Sequence, residues 1–417
     1  MKSASKLGPF QNDRLKTNVG AYRNPAPPGP PVDHAHHRQE ISEYFTKRNE
    51  RLRIQKTTRT AHGQILDWIP IESQHPKGII ASPPRHAKPP DGRAASQPES
   101  RVIAELEQDG SESGPRGTVP IVRKNLDAIG YTLSLRQYLS KYFGQPVMNY
   151  RGIGALVPGD GRGTHHHART GQKIICFGGE GQFSCFHPYV EKSDEFSLIQ
   201  IFLSNSDLPA LQTVEAGWQV YPDWLGDWLP RLFTYYTTNG YSWDDDGLGG
   251  YNQDVDGWVQ YDNVIFPGTT FGPLSKIGGD QRQITIKYQH YRDNWWLSCQ
   301  GRWVGYYPGR LFMGNQSVFS TLGDHADRIA FWGEVATPGS APTKTDMGSG
   351  RFANEGWTRA AYMHNLRVQI NRTGGMANYD GLSRLGATND KLYSVDAHFN
   401  SGTNWGSYIY VGGPGTG

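Results

Sequence analysis

The chain has 417 residues and a net charge of only +3, with its positive residues spread along the sequence, so it shows no basic footprint for nucleic acid. Hydrophobic residues make up 36 % and aromatics 12 %, beside 51 glycines and 27 prolines, which favours turn-rich β structure over helix. Three cysteines are too few for a disulfide framework, and nothing approaches 18 successive apolar residues, so no membrane-crossing helix is expected.

Residues 1–38, centred on NPAPPGPPVDHAHHR, read as a Pro-rich disordered tail. The opening MKSASKLGPFQNDR lacks the apolar stretch of a signal peptide, which leaves either a mis-assigned start or another route of export. Ile41, Tyr44, Phe45 and Leu52 fall at helical spacing and predict a short helix over 39–55. Residues 56–81 alternate around a His62-Gly63 turn and predict strands. Residues 82–118 read as a Pro/Gly/Ser linker of the kind that proteases nick.

A helix-like stretch, LDAIGYTLSLRQYLSKYF, follows at 126–143. Short strand patterns then recur about every ten residues, among them KIICFGG, FSLIQIFLS, TVEAGWQVYP, RLFTYYTT, QITIKYQHY, NWWLSCQG, RIAFWGEVA and SYIYVGG. Regular short strands with glycine-rich turns argue an all-β sandwich or barrel. Cys176 and Cys185 flank GGEGQFS and are placed to pair across a hairpin, leaving Cys299 single. Asn315-Gln-Ser and Asn371-Arg-Thr are glycosylation sequons.

Two strands carry an unusual feature. In TVEAGWQV, Thr213, Glu215, Gly217 and Gln219 share a face, with Glu215 as its lone charge and a glycine leaving open space beside it. In RIAFWGEVA, Ala330, Trp332 and Glu334 share a face, again with a glycine, Gly333, next to the carboxylate. Two carboxylates meeting in an apolar groove do not ionise alike, because burial and mutual repulsion raise at least one pKa. Such a pair offers one base and one acid with no metal and no cofactor. Carboxylate pairs also serve glycosidases. A glycoside hydrolase and a non-catalytic binding module on the same scaffold therefore stand beside a peptidase as readings of the pattern.

Other signals are weaker. His165-His166-His167 has no Cys, Asp or Glu at ligand spacing, so no metal is expected there. DDDGLGGYNQDVDG (244–257) lacks the order of a calcium loop and reads as a solvated acidic loop. Trp295-Trp296 and Tyr306-Tyr307 predict core on one face, with outward partners free to stack on substrate.

The stretch LQTVEAGWQVYPDWLGDWLPRLFTYYTTNGY, then IGGDQRQITI, NWWLSCQGRWVGYYPGRLF, IAFWGEVATP, TDMGSGRF and SYIYVGGPG, resembles the neprosin family of glutamic peptidases in content and order over about 150–417. Upstream, KTTRTAHGQILDWIPIESQHPKG (56–78) is similar to that family's activation peptide, and GPRGTVPIVRKN (114–125) to its boundary motif. The resemblance implies an antiparallel, jelly-roll-like β-sandwich peptidase domain at 126–417, preceded by a small mixed pro-region with linker at 39–125. It implies Glu215 and Glu334 as catalytic residues of an acid-active glutamic endopeptidase made as a zymogen. It further implies peptide or protein substrates, proline-rich ones included, with cleavage after proline, and a secreted or vacuolar location.

In that mechanism a water held between the glutamates attacks the scissile carbonyl. Gln219, on the face of Glu215, and Trp218 beside it are the candidate oxyanion or substrate contacts. The chain's own pro-region is the expected intramolecular inhibitor, released in acid as carboxylates lose charge and its histidines, His34, His36, His37, His62, His75 and His86, gain it. This sequence departs from the plant members where they carry a cysteine pair, at Gly250 and Val255, and Gly114 and Trp68 also stand where plant members often have Cys.

Overall fold

The computed structural model describes residues 34–85, 101–127, 134–141, 163–206, 211–241, 249–314, 321–402 and 404–417. The tail up to residue 33, the centre of the linker, residues 242–248 with the acidic run Asp244-Asp245-Asp246, and the Asn315 sequon lie outside the described residues. Helix α1 (His34–Asn49) starts inside the segment expected to be tail, and buries Ile41 and Phe45, one helical turn apart. Strands β1 (Lys56–Arg59) and β2 (Ile65–Pro70) form the expected hairpin, with Gly63 at φ 87° in its turn.

The linker region is more structured than its composition suggests. Strand β3 (Ile103–Ala104) pairs with residues 271–272 of the sandwich, and Glu105 is buried beside Arg231. Strand β4 (Thr118–Arg123) pairs with β2, so the GPRGTVPIVRKN motif completes a three-stranded sheet. Gly114 lies directly against Trp68, and a Cβ there would run into the indole ring. Where plant members often carry cysteines, this chain packs a glycine under a tryptophan. Of the long helix expected at 126–143, the described part is α2 (Leu135–Leu139), and residues 128–133 and 142–143 lie outside the described residues.

The sandwich begins with β5 (Thr164–Cys176), β6 (Gly178–Ser184), β7 (Phe196–Asn205) and β8 (Gln212–Val220). After α3 (Pro222–Leu225) come β9 (Arg231–Thr237), β10 (Gly249–Tyr251), β11 (Val259–Gln260), β12 (Phe271–Gly272) and β13 (Gln283–Tyr291). Next are β14 (Asn294–Cys299), β15 (Arg302–Pro308) and β16 (Ala326–Thr337). The chain ends with β17 (Ala361–Val368), β18 (Ala377–Asn378), β19 (Arg384–Ala387), β20 (Ser394–His398) and β21 (Tyr408–Gly412).

Among the described residues, one antiparallel sheet runs β10-β9-β8-β7-β16-β5-β19. The other runs β11-β15-β14-β13-β6-β17-β21-β20, with β18 beside β17. Their inner faces meet in a core where Phe183 of β6 packs edge-on to Phe331 of β16, and Trp218 of β8 donates its indole N–H to the Ser184 carbonyl at 2.8 Å. Cys176 and Cys185 do not pair: all three cysteines are free and buried, and Cys176 ends a strand of one sheet while Cys185 follows a strand of the other. Trp296 and Tyr306 do face outward, but Ile80 and Ala81 pack over them and the Ala81 N–H bonds the Tyr306 hydroxyl at 3.1 Å. That aromatic face is covered here, not open to substrate.

Candidate active site

The central strands β7, β8 and β9 are buried along their whole length, which a sheet shows only when both faces are covered. One face meets the second sheet. The other carries the two glutamates. In register, Glu215 lies opposite Phe202 and, one strand further, Ala330; Glu334 lies opposite Leu198 and then Gln219. Gln200 of β7 sits in the row between, flanked by Trp332 and Gly217. Alternation therefore puts Glu215, Gln200, Glu334 and Gln219 on one face. Gly217 is there for close approach and not for open room: a Cβ would strike the Ile199 carbonyl of β7.

The two carboxylates meet at one ammonium. Lys141 follows α2, is fully buried, and places Nζ 2.6 Å from Glu215 Oε2, 2.9 Å from Glu334 Oε2 and 3.0 Å from Gln200 Oε1. Three acceptors meet the three N–H bonds of the ammonium. The two carboxylate oxygens lie no further apart than the sum of the first two lengths, 5.5 Å. Burial pushes the Lys141 pKa down, but Glu215 and Glu334 outweigh it and hold the group above its ordinary value. The Tyr138 hydroxyl, bonded to the Trp224 carbonyl at 2.9 Å, anchors α2 on the sandwich.

The remaining partners of the glutamates differ. Glu215 takes hydrogen bonds from the Gln200 amide (3.0 Å) and the hydroxyls of Thr213 (3.0 Å) and Tyr241 (2.6 Å). Glu334 meets His165 Nδ1 at 2.7 Å, His167 Nε2 at 3.5 Å and the Trp332 indole N–H at 3.2 Å. Burial raises the Glu334 pKa, yet the Lys141 ammonium and the two imidazoles prevail and hold it well below the ordinary carboxylate range. His167 is pushed down to about 4, chiefly by burial.

Gln219 is buried on the glutamate face, with its amide 3.3 Å from the Tyr251 hydroxyl and its Oε1 unbonded. Trp218 is a correction: alternation turns it to the opposite face, where its ring is core and touches no cleft. The sequence reading passed over Lys141, Gln200, Tyr241, His165 and His167. The histidine run is the visible signal for two of them, with His165 and His167 serving as partners of a carboxylate. Nothing local in LSKYF marks Lys141.

The N-terminal elements grip the sandwich near this site. Lys124 pairs with Asp254 at 2.8 Å and stacks 4.4 Å over the Trp224 ring, whose N–H also bonds Asp254 at 2.6 Å. From α1, Tyr44 bonds the Asp254 carbonyl (2.6 Å), and Arg48 reaches the carbonyls of Gln253 and Val255 and the Asp256 carboxylate. Residues 253–256 therefore form a seat for α1 and Lys124, where a solvated acidic loop was expected. The loop closes with Gly250 against Val255, the two positions where the resemblance implies a cysteine pair in plant members. His36 and His62, offered by sequence as acid sensors, are exposed.

Comparison with known proteins follows this geometry. A family model described as Neprosin matches residues 193–414, more than half of the chain. Among solved structures, scytalido-glutamic peptidase with a peptide-based transition-state analogue is 8 % identical, with a TM-score of 0.30 over 60 % of this chain and 100 % of that one. SCP-B, an eqolisin-family peptidase in complex with the tripeptide Ala-Ile-His, is 8 % identical, with a TM-score of 0.29 over the same shares. A Bacteroides ovatus mixed-linkage glucan GH16 protein with bound product is 12 % identical, with a TM-score of 0.24 over 44 % of this chain and 71 % of that one.

Proposed function

The chain belongs to the neprosin family and is a peptidase, and from that premise we propose that it is an acid-active glutamic endopeptidase held latent by the segment that precedes β5, Lys141 included. The observation that carries the proposal is the convergence of Glu215 and Glu334, 119 residues apart in sequence, on one Lys141 Nζ. In the working enzyme a water takes the place of the ammonium. One carboxylate removes its proton and the other, protonated, polarises the scissile carbonyl. Gln219, on the same face with a buried amide, is the candidate oxyanion contact. No metal or cofactor is required by this chemistry.

Latency follows from the same geometry. While Lys141 sits between the carboxylates, both are committed to an ion pair and neither water nor an amide can enter. Acid is the release signal, since protonating the glutamates removes the attraction that holds the ammonium. An acidic secreted or vacuolar compartment is the matching location. Cleavage after proline is the preference carried over from the family; the seat at 250–257, rebuilt without cysteines, is where this chain's preference is expected to diverge.

The test is hydrolysis of a peptide library at pH 3 to 4 after acid incubation, with Glu215→Gln and Glu334→Gln proteins beside the parent. Each substitution should lower turnover at least about 100-fold, the scale of losing a group that acts in the transition state. Normal turnover by either variant overturns the two-glutamate mechanism. Cleavage of mixed-linkage glucan oligosaccharides in place of peptides would instead support the glycosidase reading.

A further inference from the structure

Glu215 and Glu334 share Lys141 and little else. The partners of Glu215 are two hydroxyls and one side-chain amide. A hydroxyl turns to accept as readily as to donate. This set therefore accommodates a protonated carboxyl without leaving a buried group unpaired. The partners of Glu334 are of another kind. The Trp332 indole N–H only donates. The ring nitrogens of His165 and His167 meet Glu334 at 2.7 and 3.5 Å, and an imidazole N–H there donates to a carboxylate.

We propose that Glu334 is the base of the pair and Glu215 the acid, and that His165 is the positioning residue that fixes this division. The proposal rests on the two-glutamate peptidase reading above. The geometry behind it lies in the β5–β16 ladder. His167 is directly opposite Glu334, and His165 is opposite Ala336, two places along, so alternation puts both rings on the glutamate face. The ring of His165 packs edge-on to Phe196 at 5.8 Å and stacks with His167 at 6.2 Å and 20°. His167 in turn stands perpendicular to the Trp332 ring at 5.7 Å. His165 makes the shorter contact with Glu334, 2.7 Å against 3.5 Å, at the oxygen that Lys141 does not use. It thereby orients Oε2 toward the space between the glutamates.

The charged and titratable groups acting on Glu334 come from several elements. Lys141 follows α2, His165 and His167 lie on β5, and Glu215 on β8 stands across Lys141. Tyr251 of β10 interacts with Glu334 at longer range, and Arg169 of β5 acts on His167. When Lys141 leaves, the two imidazoles are the basic groups still in contact with Glu334 among the described residues.

The proton inventory closes. Glu334 takes a proton from water as the water oxygen bonds to the carbonyl carbon, and Glu215 gives its proton to the carbonyl oxygen, forming a neutral gem-diol. Glu334 then passes its proton to the nitrogen as the C–N bond breaks. Glu215 recovers a proton from a diol hydroxyl as the new carboxylic acid forms. Both residues end as they began.

The experiment is the pH profile of kcat/KM for the acid-incubated full chain, as parent, His165→Leu and His165→Asn. Loss of a hydrogen bond to a charged group moves a carboxylate by about one pH unit. His165→Leu should therefore shift the acidic limb upward by about that amount, with KM little changed. The Asn amide N–H can replace Nδ1–H, so His165→Asn should restore the limb. A merely structural histidine would lower kcat at every pH and leave the limb where it was, and that result overturns the proposal. The glutamates give a second readout that does not depend on His165→Leu folding. Glu215→Gln keeps a donor for the carbonyl oxygen, whereas Glu334→Gln has no base, so residual turnover should be about tenfold higher in Glu215→Gln. The reverse order overturns the assignment. Absence of acid proteolysis in the parent, or indifference to both Glu→Gln changes, would sink the peptidase reading itself; glutamate dependence with an unmoved limb would sink this inference alone.

Discussion

Residues 34–127 and residues 138–141 both contact the sandwich, in opposite styles. The first region holds the margin through many separate contacts: a strand pairing at residues 103–104, the reciprocal Gln74–Gln260 bonds, Arg48 on the 253–256 loop, and Lys124 on Asp254. Arg48 with Asp256 is open to water, Asp256 being 85 % exposed, while Lys124 with Asp254 is nearly buried. The second region puts one fully buried ammonium at the centre. An exposed pair such as Arg48–Asp256 is weak, about 0 to 1 kcal/mol, and the rest of the margin is spread over separate contacts. A buried pair broken on one side costs about 3 to 5 kcal/mol, since a charge is stranded. The margin attaches the region, while Lys141 fills the space between the two carboxylates.

The sharpest way to break this contrast is Lys141→Met. Without the ammonium, two carboxylates face each other with no counter-charge, and the segment loses the interaction that seats it. The unprocessed chain should then hydrolyse peptide, with activity raised by about 100-fold or more, the population change that 3 kcal/mol allows. Peptide assays on chain shown intact by mass measure this directly. Silence of intact Lys141→Met would mean that the margin contacts alone close the site.

The pH dependence of stability comes next in size. Glu334 has its pKa depressed in the folded chain, so its contribution is present above about pH 4.5 and is lost as pH falls below that value. His167 is depressed from 6.5 to about 4, so the unfolded chain binds the proton first and stability falls between those values. At 1.36 kcal/mol per pH unit that loss reaches about 3 kcal/mol. Thermal melts of the unprocessed chain should drop steadily from pH 6.5 to 4 and further below 4.5. The step below 4.5 should shrink in Lys141→Met. A melting temperature flat across this range would remove the acid trigger from the centre of the molecule.

Sequence and structure agree most where a single strand's pattern decides the outcome. The alternation in TVEAGWQV and RIAFWGEVA was enough to set Glu215 and Glu334 apart, because a lone carboxylate on an apolar face is visible without knowing the neighbours. Trp218 is three residues from Glu215, and that spacing turns it to the opposite face and into the core. Lys141 was illegible for a different reason. Its importance lies wholly in long-range contacts, 74 residues to Glu215, and a lysine after a short helix has no local mark. The histidine run was read for ligand spacing alone, whereas its role depends on the register of β5 against β16, which no local pattern reports. The cysteine replacements show the middle case. The resemblance located Gly114 with Trp68 and Gly250 with Val255, and the structure supplied the reason: each glycine makes room for the larger partner pressed against it.

The smallest effects lie at the margin, and they separate its two cations. Lys124 is nearly buried, its ammonium paired with Asp254 and stacked on Trp224, and burial lowers its pKa against the pull of Asp254. Lys124→Met should therefore lower the stability of the unprocessed chain by about 1 to 3 kcal/mol, since Asp254 keeps the Trp224 N–H but loses its counter-charge. Arg48 is bonded to two backbone carbonyls and to an exposed Asp256, so Arg48→Ala should cost about 1 kcal/mol or less, and salt should erode the ionic part of it. Denaturant melts at low and high ionic strength distinguish the two. Neither change should raise peptide hydrolysis by intact chain at neutral pH, because Lys141 still occupies the site. Activity appearing in Lys124→Met without cleavage would show that the margin and the centre act as one latch, with the seat at 253–256 setting how firmly the ammonium is held.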